Sequence, residues 1–133
     1  MALTPTYHVF RMYNVHQDAT YLPLEIQAAT REVDGNRTIP MLSGTVSRDQ
    51  QGKIHISLSN VDLQNTQEVS INLQGVDAKN VMGEILTSAN ITDHNTFDKP
   101  DLVKPTAFNG ATISGNTLKV KLPAKSIVTL ELQ

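Results

Sequence analysis

The strongest constraint on this chain is a hydrophobic period of two. Ile54, Ile56 and Leu58 alternate with His55, Ser57 and Ser59, and Val69, Ile71 and Leu73 alternate with Ser70, Asn72 and Gln74. Leu118, Val120 and Leu122 alternate with Thr117, Lys119 and Lys121; Val128, Leu130 and Leu132 alternate with Thr129, Glu131 and Gln133. Successive side chains of an extended strand point to opposite faces. Each run therefore predicts a half-buried antiparallel strand with one dry and one wet face. Less regular strand candidates lie at 21–29, 38–48, 80–88 and 111–114. Turn-forming pieces separate the runs: Asp34-Gly35-Asn36, Asp49-Gln50-Gln51-Gly52, Asp62 to Thr66, Gly75, Asn109-Gly110, Gly115-Asn116 and Pro123. Many short strands so punctuated predict an all-β antiparallel β-sandwich. Parallel βαβ winding does not fit, because no helical segment falls between strands. One long irregular stretch, 90–109, carries Pro100 and Pro105.

The first residues follow a different period. Thr4 can cap a helix over 4–16 and Pro5 suits its first turn. At 100° per residue, Val9, Phe10, Met12 and Tyr13 fall within about 160° of arc, with His8, Arg11 and Asn14 outside it. The chain thus divides into a helix in residues 1–18 and a sandwich in 19–133. Tyr7, Phe10, Tyr13 and Tyr21 also lie early, leaving only Phe97 and Phe108 among the later aromatics.

The chain has 133 residues, enough for one domain whose core needs no staple. It is too short for a (β/α)8 barrel, which takes about 250 residues. Eleven basic against 13 acidic residues give a net charge of -2, which argues against a nucleic-acid partner. No apolar run of about 18 residues predicts a membrane span. No basic stretch followed by an apolar core predicts a signal peptide at the start, and the compartment stays open. The absence of Cys removes disulfides, thiol catalysis and cysteine–zinc sites.

Sites that carry chemistry are hard to find. Asp93, His94, Asp98 and Asp101 share the irregular stretch, and loop Asp side chains beside Pro serve chiefly to bond local backbone. His8 and His16 differ by about 80° around a helix, so they form no chelating pair. His55 falls on the polar side of its strand. No G-x-S-x-G elbow or phosphate loop is present; Leu42-Ser43-Gly44 and Ser114-Gly115 read as turn or strand pieces. Phe97 and Phe108 are expected to plug the core rather than offer flat platforms to sugars. The triplets Asn36-Arg37-Thr38 and Asn90-Ile91-Thr92 receive no role. The residues predict no catalytic, metal or cofactor site.

Three strings resemble a known family in its own order. Thr4-Pro5-Thr6-Tyr7-His8-Val9-Phe10-Arg11-Met12-Tyr13 with Val15-His16-Gln17-Asp18-Ala19 resembles the end of the catalytic barrel in glycoside hydrolase family 51 α-L-arabinofuranosidases. Asp93-His94-Asn95-Thr96-Phe97-Asp98-Lys99-Pro100-Asp101-Leu102-Val103-Lys104-Pro105 resembles a second characteristic string. Residues Leu118 to Leu132 resemble a closing strand pair, and Ile56-Ser57-Leu58-Ser59-Asn60 fits as well. The resemblance implies a jelly-roll sandwich that follows a (β/α)8 barrel. It also implies a parent that releases terminal α-L-arabinofuranosyl groups with retention, through two Glu residues of the barrel. No position here matches either Glu. Glu25, Glu32, Glu68, Glu84 and Glu131 sit in strands, turns or strand ends, so no catalytic residue is carried over.

The expected role is a non-catalytic domain supporting that barrel, with an independent carbohydrate-binding module as the alternative. Without a barrel, the helix is expected to fray or to self-associate through Val9, Phe10, Met12 and Tyr13.

Overall fold

The computed structural model describes residues 3–23, 30–33, 37–73 and 75–133. Most of the anticipated strand 21–29, the Asp34-Gly35-Asn36 turn, Glu25 and Gln74 lie outside them.

A helix comes first. In α1 (Pro5–Tyr13), the Thr4 hydroxyl accepts the Tyr7 N–H at 3.1 Å and Pro5 occupies the first turn, as the sequence predicts. The last turn tightens into a 3-10 helix, Asn14–His16.

Strand β1 (Thr20–Leu22) opens the large sheet. Among the described residues, strands β2 (Thr30–Val33) and β3 (Arg37–Pro40) pair with each other as a two-stranded sheet. The expected 38–48 strand is thus two strands, broken at Met41 before β4 (Leu42–Arg48). Then follow β5 (Ile54–Asn60), β6 (Gln67–Asn72), β7 (Val81–Leu86), β8 (Thr106–Ala107), β9 (Ala111–Ser114), β10 (Thr117–Leu122) and β11 (Ser126–Leu132). Every described pairing is antiparallel. The order is β1-β4-β5-β11-β7-β8 in the large sheet and β6-β10-β9 in the small one. Residues 118–132, read as a closing strand pair, do not pair together: β10 joins β6 and β9, while β11 joins β5 and β7. Chain crossing between sheets at Pro123 and Ala124 separates them.

The core lies between the sheets. Ile56, Leu58, Val128 and Leu130 from the large sheet meet Leu118, Val120 and Leu122 from the small one. These are the alternating apolar residues of the sequence, and none is more than 1% exposed. The outer face of the small sheet is wet, as expected: Glu68, Ser70, Lys119 and Lys121 are exposed.

The outer face of the large sheet is not wet, which corrects the expectation for β5. Helix α1 and the 3-10 turn lie across it. Met12 packs there on Leu86 and Val103, with Val9, Tyr13 and Ile127 around them. Both faces of β5 are consequently buried, including His55, which the pattern had placed on a wet side. Among the described residues, helix, large sheet and small sheet stack as three layers, and β2 and β3 form a separate two-stranded sheet.

Candidate functional site

Two features sit on the helix-covered face. The first is a polar cluster under the 3-10 turn. A period-two strand sends His55, Ser57 and Ser59 to the outer face, and antiparallel register sets Ser47 beside His55 and Thr129 beside Ser57. His16 descends onto this row. Its Nδ1 lies 2.5 Å from Ser47 Oγ and its Nε2 lies 2.7 Å from Ser57 Oγ. Ser57 Oγ also reaches Thr129 Oγ1 at 3.3 Å. Small hydroxyl side chains let the turn approach closely while giving both ring nitrogens a partner. Burial holds the His16 imidazole below its ordinary value, and the neighbouring His55 lowers it further.

His55 has carboxylates instead. Its Nε2 is 3.3 Å from Glu131 Oε2, and its Nδ1 faces Asp49 Oδ2 at 3.8 Å, too far for a hydrogen bond. Glu131 also accepts from Gln133 at 3.3 Å and Lys53 at 3.2 Å, and these bonds, led by Gln133, pull its carboxyl below the usual range.

A serine hydroxyl 2.7 Å from an imidazole is within reach for nucleophilic catalysis. Ser57, however, is 0% exposed, so no substrate carbonyl can approach it. The pair fastens the turn to the sheet. Among the described residues, no group of three His, Cys, Asp or Glu is placed to hold a metal ion. The sequence offered His16 and His55 separately. Register and the descending turn bring them together, and no local signal foretells that.

The second feature is an apolar cleft of about 460 Å³ between α1 and the 88–103 loop. Pro5, Val9 and Phe10 line one wall; Leu86, Ile91, Val103 and Ile127 supply the apolar side chains of the other, among polar neighbours such as Ser88 and Asp93. Asn95 ties the loop to the helix start: its Nδ2 donates to the carbonyls of Leu3 at 2.6 Å and Val103 at 2.7 Å, while its Oδ1 accepts the Val103 N–H at 2.7 Å. Asp93 accepts from the Ser88 hydroxyl and the Asn90 N–H, the local bonding expected of a loop Asp. The Ser88 bond leads in lowering its carboxyl. His94 donates to the Thr92 carbonyl at 3.1 Å and is exposed, as are Asp98 and Asp101. The loop acids do not converge on a reacting centre. Nor does His8 contribute one: its Nδ1 is buried without a hydrogen-bond partner.

Two aromatic expectations separate here. Phe108 does pack on the core as a plug. Phe97 does not; it is 89% exposed. The Thr96 N–H donates to the Lys99 carbonyl and the Lys99 N–H to the Thr96 hydroxyl, so Phe97 rides the tip of a tight turn that cannot reach the core. The anticipated helix face also splits. Met12, at one edge of the arc, is 2% exposed, whereas Phe10, at the other edge, is 76% exposed. The chain covers Met12 itself, so Met12 is not part of any surface offered to a second copy.

Comparison with known proteins matches this architecture. A family model for the α-L-arabinofuranosidase C-terminal domain matches residues 1–126. An intracellular exo-α-L-arabinofuranosidase of Bacteroides ovatus is 58% identical over 133 residues, covering 100% of this chain and 26% of the relative. The crystal structure of a family 51 arabinofuranosidase from Xanthomonas axonopodis pv. citri superposes with a TM-score of 0.94 at 42% identity, over 100% of this chain and 27% of that one. A family 51 α-L-arabinofuranosidase from Bifidobacterium longum gives 0.88 at 19% identity, over 99% and 26%, a likeness of fold. The chain spans about a quarter of the length of these relatives.

Proposed function

Because the chain belongs to the α-L-arabinofuranosidase C-terminal domain family, we propose that it acts as the non-catalytic sandwich of a family 51 arabinofuranosidase, seating a (β/α)8 catalytic barrel. In this reading residues 1–18 are the segment that closes the barrel, and 19–133 are the domain that carries it. Hydrolysis with retention belongs to two carboxylates of the barrel. Glycoside cleavage requires a pair of carboxyl groups flanking a sugar, and the acids of the 88–103 loop are instead bound to their own backbone or exposed.

The observation that carries the reading is the apolar surface around α1. Phe10 is 76%, Ile91 70% and Tyr7 47% exposed, and Phe10 and Ile91 border the apolar cleft. Clustered apolar side chains of this kind mark interaction surfaces. Self-association through what remains of the expected face, Val9, Phe10 and Tyr13, competes for the same surface. The test is to mix this chain with a separately produced barrel of the Bacteroides ovatus relative and follow binding by calorimetry. Binding is expected, with roughly tenfold weakening by Phe10→Ser, the size of about 1.4 kcal/mol. The chain alone is expected to release no arabinose from an aryl arabinofuranoside. Turnover by the chain, or no binding to the barrel, overturns the proposal.

A carbohydrate-binding role gains one observation, the exposed ring of Phe97 beside Asp98. Flat rings pack against sugar C–H faces. Retardation of the chain in gels containing arabinoxylan, lost in Phe97→Ala, is what this second reading expects.

A further inference from the structure

We propose that His16 is an acid-sensitive latch: its imidazole fastens the N-terminal segment to the outer face of the large sheet, and its protonation loosens that segment while the sandwich stays folded. The geometry is a ring gripped at both nitrogens by hydroxyls on adjacent strands, Ser47 of β4 at 2.5 Å and Ser57 of β5 at 2.7 Å. These serines are 3% and 0% exposed. A neutral imidazole has one N–H to donate and one lone pair to accept, which suits two hydroxyls. A protonated ring has two donors, so the hydroxyl that had donated must swing its hydrogen elsewhere and accept instead. It also brings a charge into a buried row of uncharged oxygens.

Among the described residues, β1 brings Tyr21 into register with Ser47, and Tyr21 is 67% exposed. From the turn after β4 comes Asp49 and from β11 comes Glu131, but both face His55, at 3.8 and 3.3 Å. Glu131 is further engaged by Lys53 at 3.2 Å. From β5 comes His55 itself, a like charge once protonated. From α1 come Arg11, paired with Glu84 of β7 at 3.0 Å, and Tyr13, whose ring stands edge-on to His16 at 5.8 Å. Asp18 follows two residues later and forms no described ion pair with the ring. Among the described residues, no carboxylate pairs with His16.

The direction follows from linkage. A histidine that the fold keeps neutral contributes stability that is fully present above its unfolded value of about 6.5 and is lost as pH falls from there through the lowered folded value. The loss falls on the segment, because the sandwich core lies on the opposite side of the sheet.

The test is hydrogen exchange of the 133-residue chain at pH 7.5 and 5.0, corrected for intrinsic exchange rates. Protection of residues 5–18 is expected to fall roughly three- to tenfold at pH 5.0, while 54–60 and 117–132 hold theirs. His16→Gln, neutral throughout, is expected to abolish that pH dependence whatever its baseline protection; His55→Gln is expected to retain it. A magnetic-resonance titration supplies a second readout, with the His16 midpoint expected below 6.5. Equal protection of 5–18 at both pH values, pH dependence that survives in His16→Gln, simultaneous loss across β5 and β10, or a midpoint at or above 6.5 each overturns the latch.

Discussion

Asn60 ties together three separate parts of the fold. It ends β5 and is 2% exposed. Its Nδ2 lies 3.1 Å from the carbonyl oxygens of Asn65, Leu122 and Pro123, and its Oδ1 accepts the Asp62 N–H at 3.0 Å. One side chain therefore joins the large sheet, the turn after β5 and the crossing from β10 to β11. Asn60→Ala removes the side-chain donor from the buried Leu122 carbonyl and from that of Asn65, while the Pro123 carbonyl keeps the Ser126 hydroxyl at 2.6 Å, and each lost bond costs about 1–3 kcal/mol. Urea unfolding is expected to show a total loss of about 3 kcal/mol with an unchanged slope; a loss under about 1 kcal/mol contradicts this. Asp62 builds the adjacent turn. The Gln64 N–H leads several donors that hold its carboxyl below the usual range. Bonds from Ser88 do the same for Asp93, and from Gln133 for Glu131. Such groups lend stability above their unfolded values of about 4 and lose it as pH falls through the folded ones. A melting temperature that falls steeply below about pH 4, in a window distinct from that of His16, is the expected profile. A flat profile down to pH 2.5 contradicts it. None of this was legible at Asn60, since its partners at 122 and 123 are brought to it only by the sandwich.

At the scale of elements, β7 shows how closely one strand fits its neighbours. A Cβ at Gly83 would stand 2.7 Å from Leu130 Cδ2 and 3.2 Å from the Thr129 carbonyl oxygen. Leu130 is fully buried and has no room to yield. The Phe108 N–H donates to the Gly83 carbonyl at 2.9 Å, and its ring borders the same spot. Gly83→Ala is thus expected to lower stability by about 1–3 kcal/mol through overpacking, despite alanine's better strand entropy. A neutral or raised urea midpoint goes against this account. Helix α1 makes the complementary point. Its capping Thr4 and first-turn Pro5 were readable locally, and so was its apolar arc. Which edge of the arc faces the sheet was not readable. Leu86 and Val103 choose Met12, and the 88–103 loop leaves Phe10 outside.

The whole molecule is held by pairings between distant parts of the chain. Leu58 pairs with Val128, and Ile71 with Leu118. Long loops must close before such contacts stabilise anything, so folding in milliseconds to seconds is expected by stopped-flow fluorescence of the tyrosines. Relaxation within microseconds runs against this topology.

The sequence alone determined the all-β class, the run of core residues from Ile54 to Leu132, the helix at the start and its cap. These follow from local rules, in which a period of two or 3.6 assigns each residue a face. It also carried the family's strings in order. Only the tertiary structure decided what covers each face. The serine and histidine side of β5 looked wet because polar residues commonly meet water. It is buried because α1 and the 3-10 turn lie over it, and small hydroxyls satisfy His16 there. Phe97 looked like core because phenylalanine commonly is, yet its turn holds it outside. Periodicity reports that two faces differ; burial depends on which distant segment arrives at each, and pairings such as Ser57 with His16 carry no signature in the local sequence.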